Sequence, residues 1–175
     1  MPAKLNACCT TSSIRCRRET GCSRAMLLYR LGTSAHPVWD GAGAALFGGR
    51  WNPPSVAVIY AAGSLALAML ERLVQRRNLG NTLLVRADVP DDVAWEDLMS
   101  APPTGWQALA SPEAAAAGGA WAAAGRTALL RVPSSLVPSE PNWLVNVRHP
   151  DAARIEVGPA EPLMWDPRLF GVPPP

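Results

Sequence analysis

Residues 41–71 read GAGAALFGGRWNPPSVAVIYAAGSLALAMLE, and the elements on either side take their places from this stretch. Five glycine or alanine positions, Gly41 to Ala45, come first. Gly48, Gly49, Arg50, Trp51 and Asn52 follow side by side, closed by Pro53 and Pro54. Paired glycines let a backbone take positive φ or come close to another group. An arginine beside them offers a planar fork of donors suited to phosphate or carboxylate. The β-branched run Val56 to Tyr60, bounded by the prolines and by Gly63-Ser64, predicts a strand. Ser64 is a good N-cap for a helix reaching about Arg77. On that helix Leu67, Glu71 and Val74 share a face at the i, i+4, i+7 spacing, which predicts a partly buried carboxylate. Arg72, Arg76 and Arg77 suit its C-terminal end. Together these features read as a small-molecule site for an anionic ligand.

Upstream, Met26 to Leu31 (MLLYRL) is a short strand that delivers Arg30, and residues 32–40 form a loop holding His36, Pro37 and Trp39. The lone His36 reads as a capping or packing residue. Downstream, further strands are predicted over 81–89, 127–132, 143–147, 154–157 and 163–165. Residues 90–112, with Trp95 and Trp106, read as loops with a short helical turn. Pro112 to Ala124 is alanine-rich and helix-prone, although Gly118-Gly119 weakens it. Many short strands with one clear and one doubtful helix give α+β rather than a repeated βαβ fold.

The 175 residues suffice for one domain with a full core. Apolar residues make up 49% and charged ones 17%, which is a globular balance. Residues 1–25 carry Lys4, Arg15, Arg17, Arg18 and Arg24 against Glu19 alone, so +4 of a total of +2, leaving −2 for residues 26–175. A −2 body lacks the basic stripe that nucleic-acid binding needs, and no direct contact with nucleic acid is expected. Cys8, Cys9, Cys16 and Cys22 all fall in the first segment, so the body needs no disulfide and suits a reducing cytoplasm. They lack the C-x2-C pairing of a zinc site, and no metal is expected. The chain shows neither a signal-peptide core nor a run long enough to span a membrane. Residues 1–25 read as a disordered leader, or as sequence upstream of a start at Met26, and residues 26–175 as one domain.

LYRL (28–31), GAGAALFGGRWN (41–52), VIYAAGSLALAMLE (58–71), LLRVPSSLVPSEPNWLVNVRHPD (129–151) and WDPRLF (165–170) together resemble the RES domain, a family of bacterial toxins usually encoded beside an Xre-type antitoxin. The blocks occur in the expected order over essentially all of residues 26 to 170. The sequence departs from the family pattern at Ser55-Val56-Ala57, commonly Gly-x-Pro, and at Val147, often proline. The resemblance implies a compact ADP-ribosyltransferase-like α+β domain that consumes NAD as a substrate, with no recycled cofactor. It implies an antitoxin partner covering the active site and allows a homo-oligomer within the toxin–antitoxin complex. Carried over residue by residue, it makes Arg30 and Arg50 the ligand-holding arginines, Tyr60 the site tyrosine, Glu71 the acid and Ser134 the serine, with Ser135 its adjacent alternative.

These residue types suit cleavage of the nicotinamide–ribose bond. Arg30 and Arg50 can grip a diphosphate in two-pronged fashion. Tyr60 offers a ring face for nicotinamide and a hydroxyl for a polar contact. Glu71 can accept a hydrogen bond from a ribose hydroxyl and stabilise an oxocarbenium-like transition state. Ser134 can orient the substrate or Glu71 itself. Water as acceptor gives NAD hydrolysis, phosphate gives phosphorolysis, and a protein side chain gives mono-ADP-ribosylation. A non-catalytic nucleotide-binding module on the same fold is the reading from another class.

Overall fold

The computed structural model describes residues 26–75 and 79–171. The basic leader with its four cysteines, and Arg76 and Arg77 at the expected helix end, lie outside the described residues.

One eight-stranded sheet carries the fold. Strands β1 (Met26–Thr33) and β3 (Thr82–Val89) pair antiparallel over their whole lengths. Strand β2 (Val58–Ala62) meets β1 at one register pair, Tyr29↔Ala62. Its other edge pairs fully with β6 (Pro141–Asn146), which pairs in turn with β5 (Leu129–Pro133). Beyond β5 lies β4 (Trp95–Asp97), the one parallel neighbour among the described residues. The short β7 (Glu156–Val157) and β8 (Glu161–Pro162) both pair with β3. The sheet is therefore continuous on both sides and nearly parted between β1 and β2.

Helices α1 (Ala42–Phe47), α2 (Leu65–Gln75) and α3 (Pro112–Ala124) complete the domain. Alternation along β2 shows how they pack. Val58 joins Trp51, Trp121, Leu130, Val132 and Leu144 in the cluster under α3. Ile59 and Ala61 turn to a second cluster with Leu28, Val89 and Val145. Ala62 meets Leu67 and Ala68 of α2. A mixed sheet with three helices is the α+β domain expected.

Several boundaries differ from the sequence reading, each for a local reason. The strand expected over 56–60 begins at Val58, because Ser55 takes a positive φ of 75° and the Val56 carbonyl is claimed by the Asn52 side chain at 3.0 Å. Residues 42–47, for which the sequence reading named no element, form a helix. Alanine favours helix, the Asp40 carboxylate accepts from the Ala42 N–H at 3.1 Å, and Gly48 at φ 70° ends it. Trp95 sits on a strand where a loop was expected. Residues 163–165 are not a strand: β8 precedes them, and the Trp165 indole N–H donates to the Leu79 carbonyl at 3.0 Å. Residues 150–154 are a 3-10 turn capped by His149, which delays the strand expected from Arg154.

Gly118-Gly119 does not break α3. The helix instead runs against the turn 51–53, and a Cβ on Gly118 would lie 1.8 Å from the Trp51 carbonyl oxygen. The glycine is there for close approach. Gly118→Ala, which helix propensity alone scores as a gain of about 1 kcal/mol, is expected to cost about 1–3 kcal/mol through overpacking. A urea titration checks the sign.

Candidate active site

The hairpin β5–β6 delivers two polar side chains to one carboxylate. Ser134 follows β5, with its N–H bonded to the Glu140 carbonyl at 3.0 Å. Its hydroxyl accepts from the backbone N–H groups of Leu136 (3.1 Å) and Val137 (3.2 Å). That leaves the single O–H of this fully buried serine to donate to Glu71 Oε1, at 2.8 Å. Asn142, on β6, donates its Nδ2 to the same oxygen at 2.7 Å. Of the two candidate serines, Ser134 therefore carries the bond.

Helix α2 is tied to the same hairpin at its start. Ser64 accepts from the Leu67 N–H at 3.1 Å, as an N-cap should, and donates to Glu140 at 3.0 Å. Leu67 and Ala68 bury the inner face of the helix, but Val74 is 52% exposed. Glu71 is half-buried as expected, but Val74 is not part of the buried face, which corrects the expected Leu67–Glu71–Val74 alignment.

Tyr60 is fixed by the glycine turn. Its hydroxyl donates to Asn52 Oδ1 at 2.7 Å and accepts from the Trp51 N–H at 3.0 Å. The Asn52 amide in turn reaches the carbonyls of Ala44 (2.9 Å), Pro53 (3.1 Å) and Val56 (3.0 Å). A Cβ at position 49 would lie 2.6 Å from the tyrosine oxygen, so Gly49 is needed where the hydroxyl passes. Burial pushes the Tyr60 phenol up to about 12, against the opposing effects of the Trp51 N–H and the positive charges of Arg50 and Arg30.

Arg30 spans the parting of the sheet. Its Nη1 donates to the Tyr60 carbonyl at 2.7 Å and its Nε to the Val38 carbonyl at 2.5 Å. Burial lowers its pKa, with Asp40 and Tyr60 opposing, and a guanidinium so placed stays charged. Arg50 is held differently. Its Nη1 donates to the carbonyls of Trp106 (2.6 Å) and Ala108, and the Trp51 and Trp106 rings stack beside it at 6.0 Å. It pins the loop 103–108 while its charge reaches the Tyr60 hydroxyl.

A cavity of about 560 Å³ opens at the parting, within the usual range for ligand sites. Arg30, Tyr60, Glu71 and Asn142 line it, with Phe47 and Arg72 at its edge. Arg50 is not on that wall. A second cavity of about 370 Å³ adjoins the first and shares Arg30, Phe47 and Arg72. The structure thus gathers Arg30, Tyr60 and Glu71 on one wall, places Ser134 directly behind Glu71, and sets Arg50 to one side. Asn142 was missed in the sequence. The available signal was a polar residue at an inward position of the run PNWLVN.

An acid held by two donors, lining one ligand-sized cavity together with a cation and a tyrosine where the sheet parts, has the make-up of an enzyme site. The RES domain family model matches residues 27–166. Curated relatives agree. The chain is 43% identical over 138 residues, 75% of this chain and 86% of the other, to a Prs ADP-ribosylating toxin of Sphingobium sp.. It is 35% identical to a Toxin Res of Yersinia enterocolitica (82% of this chain, 99% of the other) and 37% identical to a Toxin Res of Pseudomonas putida (83% and 100%). The fold also matches a chain in the crystal structure of the M. tuberculosis MbcT–MbcA toxin–antitoxin complex, with a TM-score of 0.63 at 23% identity over 84% of this chain and 87% of that one. The chain therefore belongs to the RES domain family, and with these relatives it falls among that family's toxins. No helix among the described residues is long and apolar enough to cross a membrane.

The raised phenol value gives a pH test. Because the folded value lies above the unfolded one of about 10, the neutral phenol's contribution to stability is complete below about pH 10 and is lost as pH climbs toward 12. Denaturation midpoints of wild type should fall more steeply between those values than midpoints of Tyr60→Phe. Tyrosinate absorbance should show the step near pH 12 disappearing in the variant.

Proposed function

We propose that the chain is an NAD-consuming toxin of a bacterial toxin–antitoxin pair, cleaving the bond between nicotinamide and ribose. The observation that carries this is the Glu71 carboxylate, with Oε1 held by Ser134 and Asn142 at 2.8 and 2.7 Å on a wall shared with Arg30 and Tyr60. In the reaction the C1′–N bond breaks and its electron pair leaves on the nicotinamide nitrogen. The acceptor oxygen adds to C1′ and gives up its proton. Glu71 stabilises the positive charge that develops on the ribose, and a preformed charge in a site of restricted water is effective at that task. Tyr60 stacks against the nicotinamide ring. Arg30 stands where the two cavities meet and suits the diphosphate between two halves of a dinucleotide. Arg50 adds its charge at longer range and steadies the loop 103–108.

The printed name of the Sphingobium relative favours a second reading, in which a protein side chain is the acceptor and the product is ADP-ribosylated protein. In both readings an Xre-type antitoxin silences the enzyme by covering the cavity. Leu46 and Phe47 of α1, exposed by 69% and 79% where they line the adjoining cavity, offer apolar surface for such a partner.

Incubation of the purified protein with NAD, with and without phosphate, separates the readings. Loss of NAD without labelling supports hydrolysis or phosphorolysis, transfer of label to protein supports ADP-ribosylation, and an inert mixture leaves a non-catalytic module. Glu71→Gln should lower turnover by at least about 100-fold while its urea midpoint stays near that of wild type. Arg50→Ala, which removes the support of the loop 103–108, should lower the urea midpoint as well as raise KM. Wild-type turnover in Glu71→Gln would overturn the assignment of the acid.

A further inference from the structure

We propose that Asn142 is a positioning residue for Glu71, fixing the rotation of its carboxylate so that Oε2 is the oxygen presented to the ribose. The inference rests on the reading of Glu71 as the acid that meets the substrate. Asn142 lies in the register between Ala62 of β2 and Val132 of β5, on a strand paired along both edges. The side chain is half-buried where it lines the cavity, and its Nδ2 has Glu71 Oε1 at 2.7 Å. The orientation of the amide follows from chemistry. A carboxylate oxygen only accepts, so the NH2 end must face it.

One donor alone leaves a carboxylate free to pivot. Here Ser134, just after β5, and Asn142, on β6, approach the same oxygen, so its rotation is set by both together. Among the described residues no donor bonds Oε2, and Glu71 lines the cavity. The two oxygens therefore have separate tasks, Oε1 for support and Oε2 for substrate. Asn146 shows the contrast. It lies on the same face of β6, four residues on, but its Nδ2 donates to the Ala122 carbonyl and its Oδ1 accepts from the Arg148 N–H. That amide joins backbone to backbone, whereas the Asn142 amide serves the acid.

Asn142→Ala and the isosteric Asn142→Asp test this beside Glu71→Gln. Asn142→Ala should lower kcat by about 10–100-fold, as loss of a supporting hydrogen bond does around other reactive groups, with KM changed less than about threefold and little loss of urea stability. Asn142→Asp keeps the shape but sets a second carboxylate against Glu71. It should be slower than Asn142→Ala at pH 7.5 and recover part of the difference at pH 5.5, where the pair can share a proton. A role in packing alone predicts the opposite order and a flat pH response. A crystal structure of Asn142→Ala should show the Glu71 carboxylate rotated about its bond to Ser134, a readout independent of turnover.

An unmoved Glu71, or kcat within about twofold of wild type in both Asn142 variants while Glu71→Gln is inactive, overturns the role of Asn142 and leaves the acid in place. A rotated Glu71 in Asn142→Ala with a fully active Glu71→Gln overturns the functional reading and, with it, the catalytic meaning of this support. If Asn142→Ala does not fold, the rate and pH response of Asn142→Asp still decide.

Discussion

The parting of β1 from β2 governs the architecture. A single register pair joins these strands, so the carbonyls along this edge of β2 lack ladder partners. Buried backbone groups must be satisfied, and Arg30 does so for Tyr60 by donating Nη1 to its carbonyl. The same guanidinium reaches across to Val38 in the loop after β1, which bridges the gap without closing it. Half-burying an arginine costs solvation, which lowers its pKa. What results is a cation fixed in the wall of a cavity that a regular sheet would have sealed.

Opposite Arg30, the turn 48–57 is held by one buried amide. Asn52 connects the end of α1, the prolines, the entry to β2 and the Tyr60 hydroxyl. Gly49 makes room for that hydroxyl, and Gly118 of α3 makes room for the Trp51 carbonyl on the other side of the turn. Tyr60 is thereby set by contacts on both sides, neither of which involves a ligand. Such preorganisation is what a site needs if its side chains are to meet a transition state without rearranging.

The local parts of this arrangement were legible in the sequence. Cap, strand and helix around Ser64 show in residue type and spacing, and the glycine–arginine–tryptophan–asparagine block marks a turn with a purpose. Arg30, Tyr60 and Glu71 could be named as a group from the family resemblance. Relations across the sheet were less accessible. Asn142 belongs to the site only because β6 lies beside β2, seventy-one residues away from Glu71 in sequence. The parallel pairing of β4 with β5 is likewise a tertiary fact that three residues cannot announce. Arg50 illustrates a different obstacle. Its five donors suit a diphosphate and backbone carbonyls equally well, and only the path of the loop 103–108 shows which are within reach.

The cavity wall has one acid among its described residues, Glu71, and this bears on the chemistry it can support. Hydrolysis by paired carboxylates needs a second one roughly 5–9.5 Å away to protonate a leaving oxygen or activate water. Nicotinamide differs from such leaving groups. It is cationic while bonded to ribose and departs neutral, so its loss requires no proton. One carboxylate that stabilises the ribose cation is therefore sufficient for bond cleavage. Oε1 of that carboxylate is already occupied by Ser134 and Asn142. On the reading proposed above, the other oxygen is the one left for the ribose, so support and substrate contact fall to different atoms of one carboxylate.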